Sequence, residues 1–188
     1  MPMPDTLSLK AKVCLLGEPR VGKTSLIRKF VLNEFDERYL TTVGTNVTKK
    51  VVQVPIPQAD LLVDLDMVIW DIMGQRDYRD LLADRYFEGA QGLLAVADVT
   101  QPETLEALFD WIDRADRVAS QIPVVLAMNK ADLVPLTEEA ERAARALADA
   151  FNGDYLVTSA KTGANVEKAF LRLATMIVAR EIATAAKS

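Results

Sequence analysis

The chain has 188 residues, of which 22 are Lys or Arg and 27 are Asp or Glu, giving a net charge of −5. That length fits one domain, and with 50% of the residues hydrophobic a core forms without disulfide or metal staples, which excludes a disordered chain. There is no histidine and the only cysteine is Cys14, which excludes Ser-His-Asp and Cys-His nucleophile systems, His-bearing zinc sites, imidazole acid–base chemistry and a disulfide.

In chain order, the apolar run over 9–16, closed by Gly17, predicts a buried strand containing Cys14 as a small core residue. Residues 23–35 carry helical apolar spacing at Leu26, Ile27, Phe30 and Val31. A threonine-rich stretch, 39–46, breaks that period. Residues 47–55 and 61–70 read as two strands joined by the PIPQAD segment into a hairpin. The remainder alternates strand and helix: 92–98 then 102–118, 123–128 then 137–151, 155–158 then 165–183. Such alternation implies a mostly parallel sheet with helices on both faces. Pro102, Thr137 and Gly153 punctuate helix ends, and Val166, Phe170, Leu173 and Ile177 form an apolar stripe that reads as core.

The acidic balance and the lack of a Lys/Arg stripe argue against nucleic-acid binding. No stretch has transmembrane length, the N-terminus lacks a signal-peptide pattern, and no cysteine is placed for lipidation. A soluble, cytoplasmic chain with no direct lipid anchor is the expectation.

Gly17-Glu18-Pro19-Arg20-Val21-Gly22-Lys23-Thr24 lies between the first strand and the first helix and matches GxxxxGKT in the context that motif requires. Glycines let backbone N–H groups converge on phosphate oxygens, and the helix N-terminus adds a favourable dipole. Lys23 is placed to reach terminal phosphates and the Thr24 hydroxyl to ligate magnesium, and Ser25 beside them is a further nucleotide-binding candidate. The motif alone specifies a nucleoside triphosphate and does not choose the base.

Asn129-Lys130-Ala131-Asp132 follows the strand over 123–128, at the carboxyl end where open parallel sheets bind ligands. A carboxylate at Asp132 accepts from both the ring N–H and the exocyclic amine of guanine, whereas adenine presents an acceptor there. Thr158-Ser159-Ala160-Lys161 lies further along.

With GEPRVGKT, Thr42, WDIMGQ, NKAD and TSAK in this order, the chain resembles a Ras superfamily small GTPase of the Rab and Ras branches. The resemblance covers about residues 10–180 and leaves 1–8 as an N-terminal extension, 9–183 as the G domain and 184–188 as a tail. It implies an α/β P-loop NTPase G domain, a three-layer α/β/α fold with a six-stranded, mostly parallel sheet and about five helices. It implies GTP or GDP bound with Mg2+, Lys130 along the base and the Ala160 N–H toward the guanine carbonyl. Ser159 and Lys161 flank that amide. Phe35 and Tyr39 fall where the family places aromatics against the guanine and over the phosphates.

The resemblance also implies that Thr42 joins the magnesium shell when the γ-phosphate is present, with Thr41 as the competing assignment. Asp71 holds magnesium through water, the Gly74 N–H contacts the γ-phosphate, and Gln75 orients the attacking water. Two loops released on hydrolysis then make a switch, slow on its own and served by activating, exchange and effector proteins. Trp70 and Tyr78 match aromatics used for effectors, while Val47 replaces a third. Intact Lys23, Thr24, Thr42, Asp71 and Gln75 argue against the alternative, a non-catalytic binding module or a GTPase domain of a larger scaffold.

Three departures stand out. Pro19 replaces a glycine and removes an N–H, Arg76 replaces a glutamate, and the interval from Gly44 to Asp71 is longer than the Rab pattern, read as a longer hairpin turn around PIPQADLL. Arg20 and Arg38 match no family arginine and read as solvated surface charges rather than as a built-in arginine finger.

Overall fold

The computed structural model describes residues 5–36, 45–72 and 85–186. Among these, six strands form one sheet in the order β2-β3-β1-β4-β5-β6. They are β1 (Asp5–Leu16), β2 (Thr45–Ile56), β3 (Leu61–Ile72), β4 (Gly92–Asp98), β5 (Val124–Asn129) and β6 (Asp154–Val157). Only β2 and β3 pair antiparallel; every other pair is parallel. The helices that lie wholly among the described residues are α1 (Lys23–Leu32), α2 (Glu103–Glu106), α3 (Leu108–Ala119), α4 (Glu138–Ala150) and α5 (Val166–Ala185).

The central strands β4 and β5 are buried at every position, which their unbroken apolar runs anticipate, because helices cover both faces of a parallel sheet. On one face α1 and α5 pack against Val13, Leu15, Val63, Leu65, Met67 and Ile69. Phe30 of α1 stacks on Phe170 of α5 with ring centroids 4.0 Å apart, and the whole predicted stripe Val166, Phe170, Leu173 and Ile177 is buried there. On the other face α3 and α4 cover Cys14, Leu16, Leu93, Ala95, Leu126 and Met128 with Leu108, Trp111, Ile112 and Ala148. The architecture is the three-layer α/β/α sandwich expected.

Element boundaries differ in ways that have local causes. Helix α1 stops at Leu32 because Asn33 turns left-handed (φ 56°) and returns its N–H to the Lys29 carbonyl at 3.0 Å, so Phe35 lies beyond the helix. The predicted helix over 102–118 divides at Ala107 into α2 and α3. Thr137 caps α4 by accepting from the Ala140 N–H at 3.2 Å.

The reading of a longer hairpin turn is corrected. The turn between β2 and β3 is a short 3-10 segment, Pro57–Ala59, closed by Asp60 at φ 47°. The surplus residues lengthen the strands instead: β2 and β3 pair from Thr45↔Ile72 to Ile56↔Leu61, and β1 starts at Asp5 to pair with Leu61 onward. Alternation explains the choice. Val52, Val54, Val63 and Leu65 bury one face of the lengthened hairpin in the α5 cluster, which a flexible turn would leave in water.

Candidate functional site

The loop between β1 and α1 is shaped by two close backbone approaches. Gly17 has φ 136° and a Cβ there would sit 2.3 Å from the Val96 carbonyl; Gly22 has φ 102° and its Cβ would sit 2.3 Å from the Asn129 amide. No other residue type fits either place. Arg20 takes φ 65° without being glycine, and Pro19 and Arg20 are both exposed at the apex. Val21 is buried beneath it.

Lys23 opens α1 and points back into the loop. Its ammonium donates to the Gly17 and Glu18 carbonyls, each at 2.8 Å, and the residue is only 6% exposed. Burial pushes this ammonium down to about 8, against the opposing pull of the Asp71 and Glu18 carboxylates. A buried cation resting on two carbonyls with two carboxylates nearby is a ready counterion for phosphate.

Next to it, the Thr24 hydroxyl donates to Asp71 Oδ2 at 2.5 Å, joining the start of α1 to the end of β3. Asp71 is buried, and its Oδ1 meets no donor among the described residues. Burial raises the Asp71 carboxyl above its ordinary value, with the Thr24 hydroxyl and Lys23 pulling the other way. A hydroxyl beside an orphaned carboxylate oxygen suits a hard divalent cation completed by phosphate and water oxygens, the usual environment of Mg2+. The described residues contain no cluster of three His, Cys, Asp or Glu side chains able to hold a metal alone.

The second loop starts at Asn129, the last residue of β5. Its Nδ2 donates to the Val21 carbonyl at 2.9 Å, and its Oδ1 accepts from the Ala160 N–H at 3.1 Å and the Thr158 hydroxyl at 3.4 Å. One buried amide therefore ties the phosphate loop to the 158–161 turn. The Ala160 N–H, expected toward a base carbonyl, is committed to Asn129. Asp132 is exposed, and Ser159 Oγ, which donates to Asp132 Oδ1 at 2.6 Å, fixes its carboxylate. The Thr162 N–H donates in turn to Ser159 Oγ at 3.1 Å. Lys130 has φ 66° and its ammonium pairs with Asp98 Oδ2 at 2.6 Å. Lys161 is exposed beside them.

The structure thus brings Gly17 to Ser25, Asp71, Asn129, Lys130, Asp132 and Ser159 to Lys161 to one end of the sheet. Phe35 is 37% exposed, outside both cores. Trp70 is half-buried, edge-on to Tyr86 at 6.0 Å and beneath the Lys12 ammonium at 4.1 Å. Tyr39, Thr41, Thr42, Gly74, Gln75, Arg76, Tyr78 and Arg38 lie outside the described residues.

Two participants escaped the sequence reading. Asp98 ends β4 and also accepts from the Thr100 N–H at 2.9 Å through Oδ1; a carboxylate closing the apolar run GLLAVA was the available signal. Trp111 of α3 donates its indole N–H to Glu18 Oε1 at 3.1 Å. A tryptophan on an amphipathic helix reads as core, so nothing in the sequence singled out its polar edge.

A loop closed by two tightly placed glycines after the first strand, with a polar turn at the ends of β5 and β6, is the arrangement of a P-loop nucleotide-binding protein. The Ras family model matches residues 12–179. Human Ras-related protein Rab-22A is 35% identical over 167 residues, 88% of this chain and 82% of that protein. Human Ras-related protein Rab-27B is 34% identical over 175 residues, 90% of this chain and 80% of that one. Ras-related protein RIC1 of Oryza sativa subsp. japonica is 35% identical over 164 residues, 87% and 78% of the two chains. The chain belongs to the Ras family of small GTPases, proteins that in general bind GTP and GDP with Mg2+. No helix among the described residues is long and apolar enough to cross a membrane.

Proposed function

We propose that this chain is a guanine-nucleotide switch that hydrolyses GTP slowly and is read in its GTP state by effectors. The observation carrying the proposal is the Asn129 side chain, which joins the phosphate loop at Val21 to the base-end turn at Ala160. A nucleotide needs both ends of the site held in one register, and a chance phosphate loop has no use for that tie.

In this reading the N–H groups of the 17–23 loop and the Lys23 ammonium hold the phosphates. Lys130 lies along the base, and Asp132, aimed by Ser159, accepts from the guanine edge. Phe35 and Tyr39 cover the nucleotide. Thr24, Thr42 and, through water, Asp71 would hold Mg2+, which when bound neutralises charge on the phosphates. Gln75 orients water for in-line attack on the γ-phosphorus, and the Gly74 N–H holds a γ-oxygen. One P–O bond forms as the bond to GDP breaks, the attacking water's proton passes to a phosphate oxygen, and Lys23 offsets the charge moving onto the leaving oxygen. Such a reaction depends on positioning and charge rather than a covalent nucleophile, consistent with a chain that lacks histidine.

Loss of the γ-phosphate releases Thr42 and Gly74, and the segments around them change what effectors meet, with Trp70 and Tyr78 as anchors. Activating and exchange proteins act at the same segments of a cytoplasmic chain whose G domain spans 9–183. Competition binding tests the nucleotide reading. Fluorescent GDP is displaced by unlabelled GDP and GTP and left in place by ATP, and chelation of Mg2+ accelerates its release. Equal displacement by ATP overturns the proposal.

A further inference from the structure

Trp111 is 1% exposed, in the core between α3 and the sheet, yet its indole N–H leaves that core to meet Glu18 Oε1 at 3.1 Å. Glu18 is the second residue of the phosphate loop. Its own carbonyl accepts from the Lys23 ammonium at 2.8 Å. A chain of contacts therefore runs from α3 through one residue to the buried cation of the site.

The loop needs such an anchor at this point. Its far end is held by Asn129 at the Val21 carbonyl, and at its start the Gly17 backbone lies where a Cβ would meet the Val96 carbonyl. Between them, Pro19 contributes no N–H and Arg20 sits in a left-handed conformation at φ 65°. A carboxylate accepting from a buried indole is a charge-assisted bond whose donor is fixed in place, because the ring is locked by its packing. We infer that Trp111 is a positioning residue for the phosphate loop: through Glu18 it sets where the Lys23 ammonium rests and so how long a nucleoside diphosphate stays bound. This rests on the reading of the loop as a phosphate site.

The test is a double-mutant cycle on release of fluorescent GDP from the full-length protein. Trp111→Phe, which keeps an aromatic ring in the core, and Glu18→Ala each raise the release rate about threefold or more, and the double variant is no faster than the worse single one. Glu18→Gln, which retains a carbonyl acceptor, recovers most of the Glu18→Ala loss. Ile112→Val, fully buried on the same helix, lowers the melting temperature and leaves the release rate alone, which separates positioning from general destabilisation. The exchange protection of the Trp111 indole N–H in GDP-bound protein falls in Glu18→Ala. Multiplicative rate effects, or an unchanged rate in Trp111→Phe, overturn the inference while the site reading stands. A wild-type protein that holds no GDP overturns both.

Discussion

The Asn129 amide donates to the Val21 carbonyl at 2.9 Å and so binds two loops that are 108 residues apart in the chain. The donor is Nδ2; the amide oxygen Oδ1 accepts from the Ala160 N–H and the Thr158 hydroxyl. Asn129→Ala strands a buried carbonyl and a buried N–H, and each unsatisfied group costs about 1–3 kcal/mol. Urea unfolding should show a loss in that range, and GDP release should accelerate in parallel. A variant as stable as wild type would contradict this account of the tie.

Asp132 discriminates by hydrogen-bond polarity. Its carboxylate accepts twice from guanine, whereas Asp132→Asn offers one donor and one acceptor, a pattern that matches the carbonyl and N–H of xanthine. GDP affinity should fall by at least about a hundredfold, since mispaired buried polar groups carry large penalties. Xanthosine diphosphate should bind better than GDP in the same competition assay.

How much of this was legible beforehand depended on whether the cue was local. The unbroken apolar runs of β4 and β5, the GxxxxGKT loop and the Thr137 cap declare themselves within a few residues. The start of β1 does not. Thr6 and Ser8 are exposed polar residues, and they become strand only because the lengthened β3 offers Leu62 and Asp64 as partners. The same non-local pairing made Ile56 strand and carried β2 and β3 out to Thr45 and Ile72, beyond the 47–55 and 61–70 expected. At the site, NKAD and the phosphate loop were readable as motifs, whereas the Asp98–Lys130 and Trp111–Glu18 contacts exist only after folding.

Arg20 occupies the left-handed region at φ 65°. A side chain there costs about 1–2 kcal/mol relative to the right-handed conformation, and glycine escapes most of that cost. Comparing Arg20→Gly with Arg20→Ala removes the guanidinium from both sides of the comparison. The glycine variant should be more stable by about 1 kcal/mol in denaturant unfolding; equal stability would mean the backbone is relaxed at this position.

Burial pushes the Cys14 thiol up to about 12 from an ordinary value of 9.0. The unfolded chain ionises this thiol first, so between pH 9 and 12 the native state holds this proton more often and the thiol's contribution to stability falls as pH rises. The contribution is complete below pH 9 and declines by at most about 1.4 kcal/mol per pH unit above it. Tyr86, raised well above 10.0 mainly by burial, joins at higher pH. Lys23, pushed down to about 8, works in the opposite direction over the same range, so the reading is a difference: wild-type stability should fall relative to Cys14→Ala between pH 9 and 10, and the native thiol should resist alkylation at pH 8. Identical slopes for the two proteins would contradict the assignment.

The central claim is that this site both holds and hydrolyses GTP. Single-turnover conversion of bound GTP to GDP, followed with and without Mg2+ in wild type and Gln75→Leu, tests it most directly. The account predicts conversion at about 10⁻⁴ to 10⁻³ per second with Mg2+, a much slower rate without it, and a further drop in Gln75→Leu. GTP that stays intact in the wild-type protein with Mg2+, or an unchanged rate in Gln75→Leu, would contradict it.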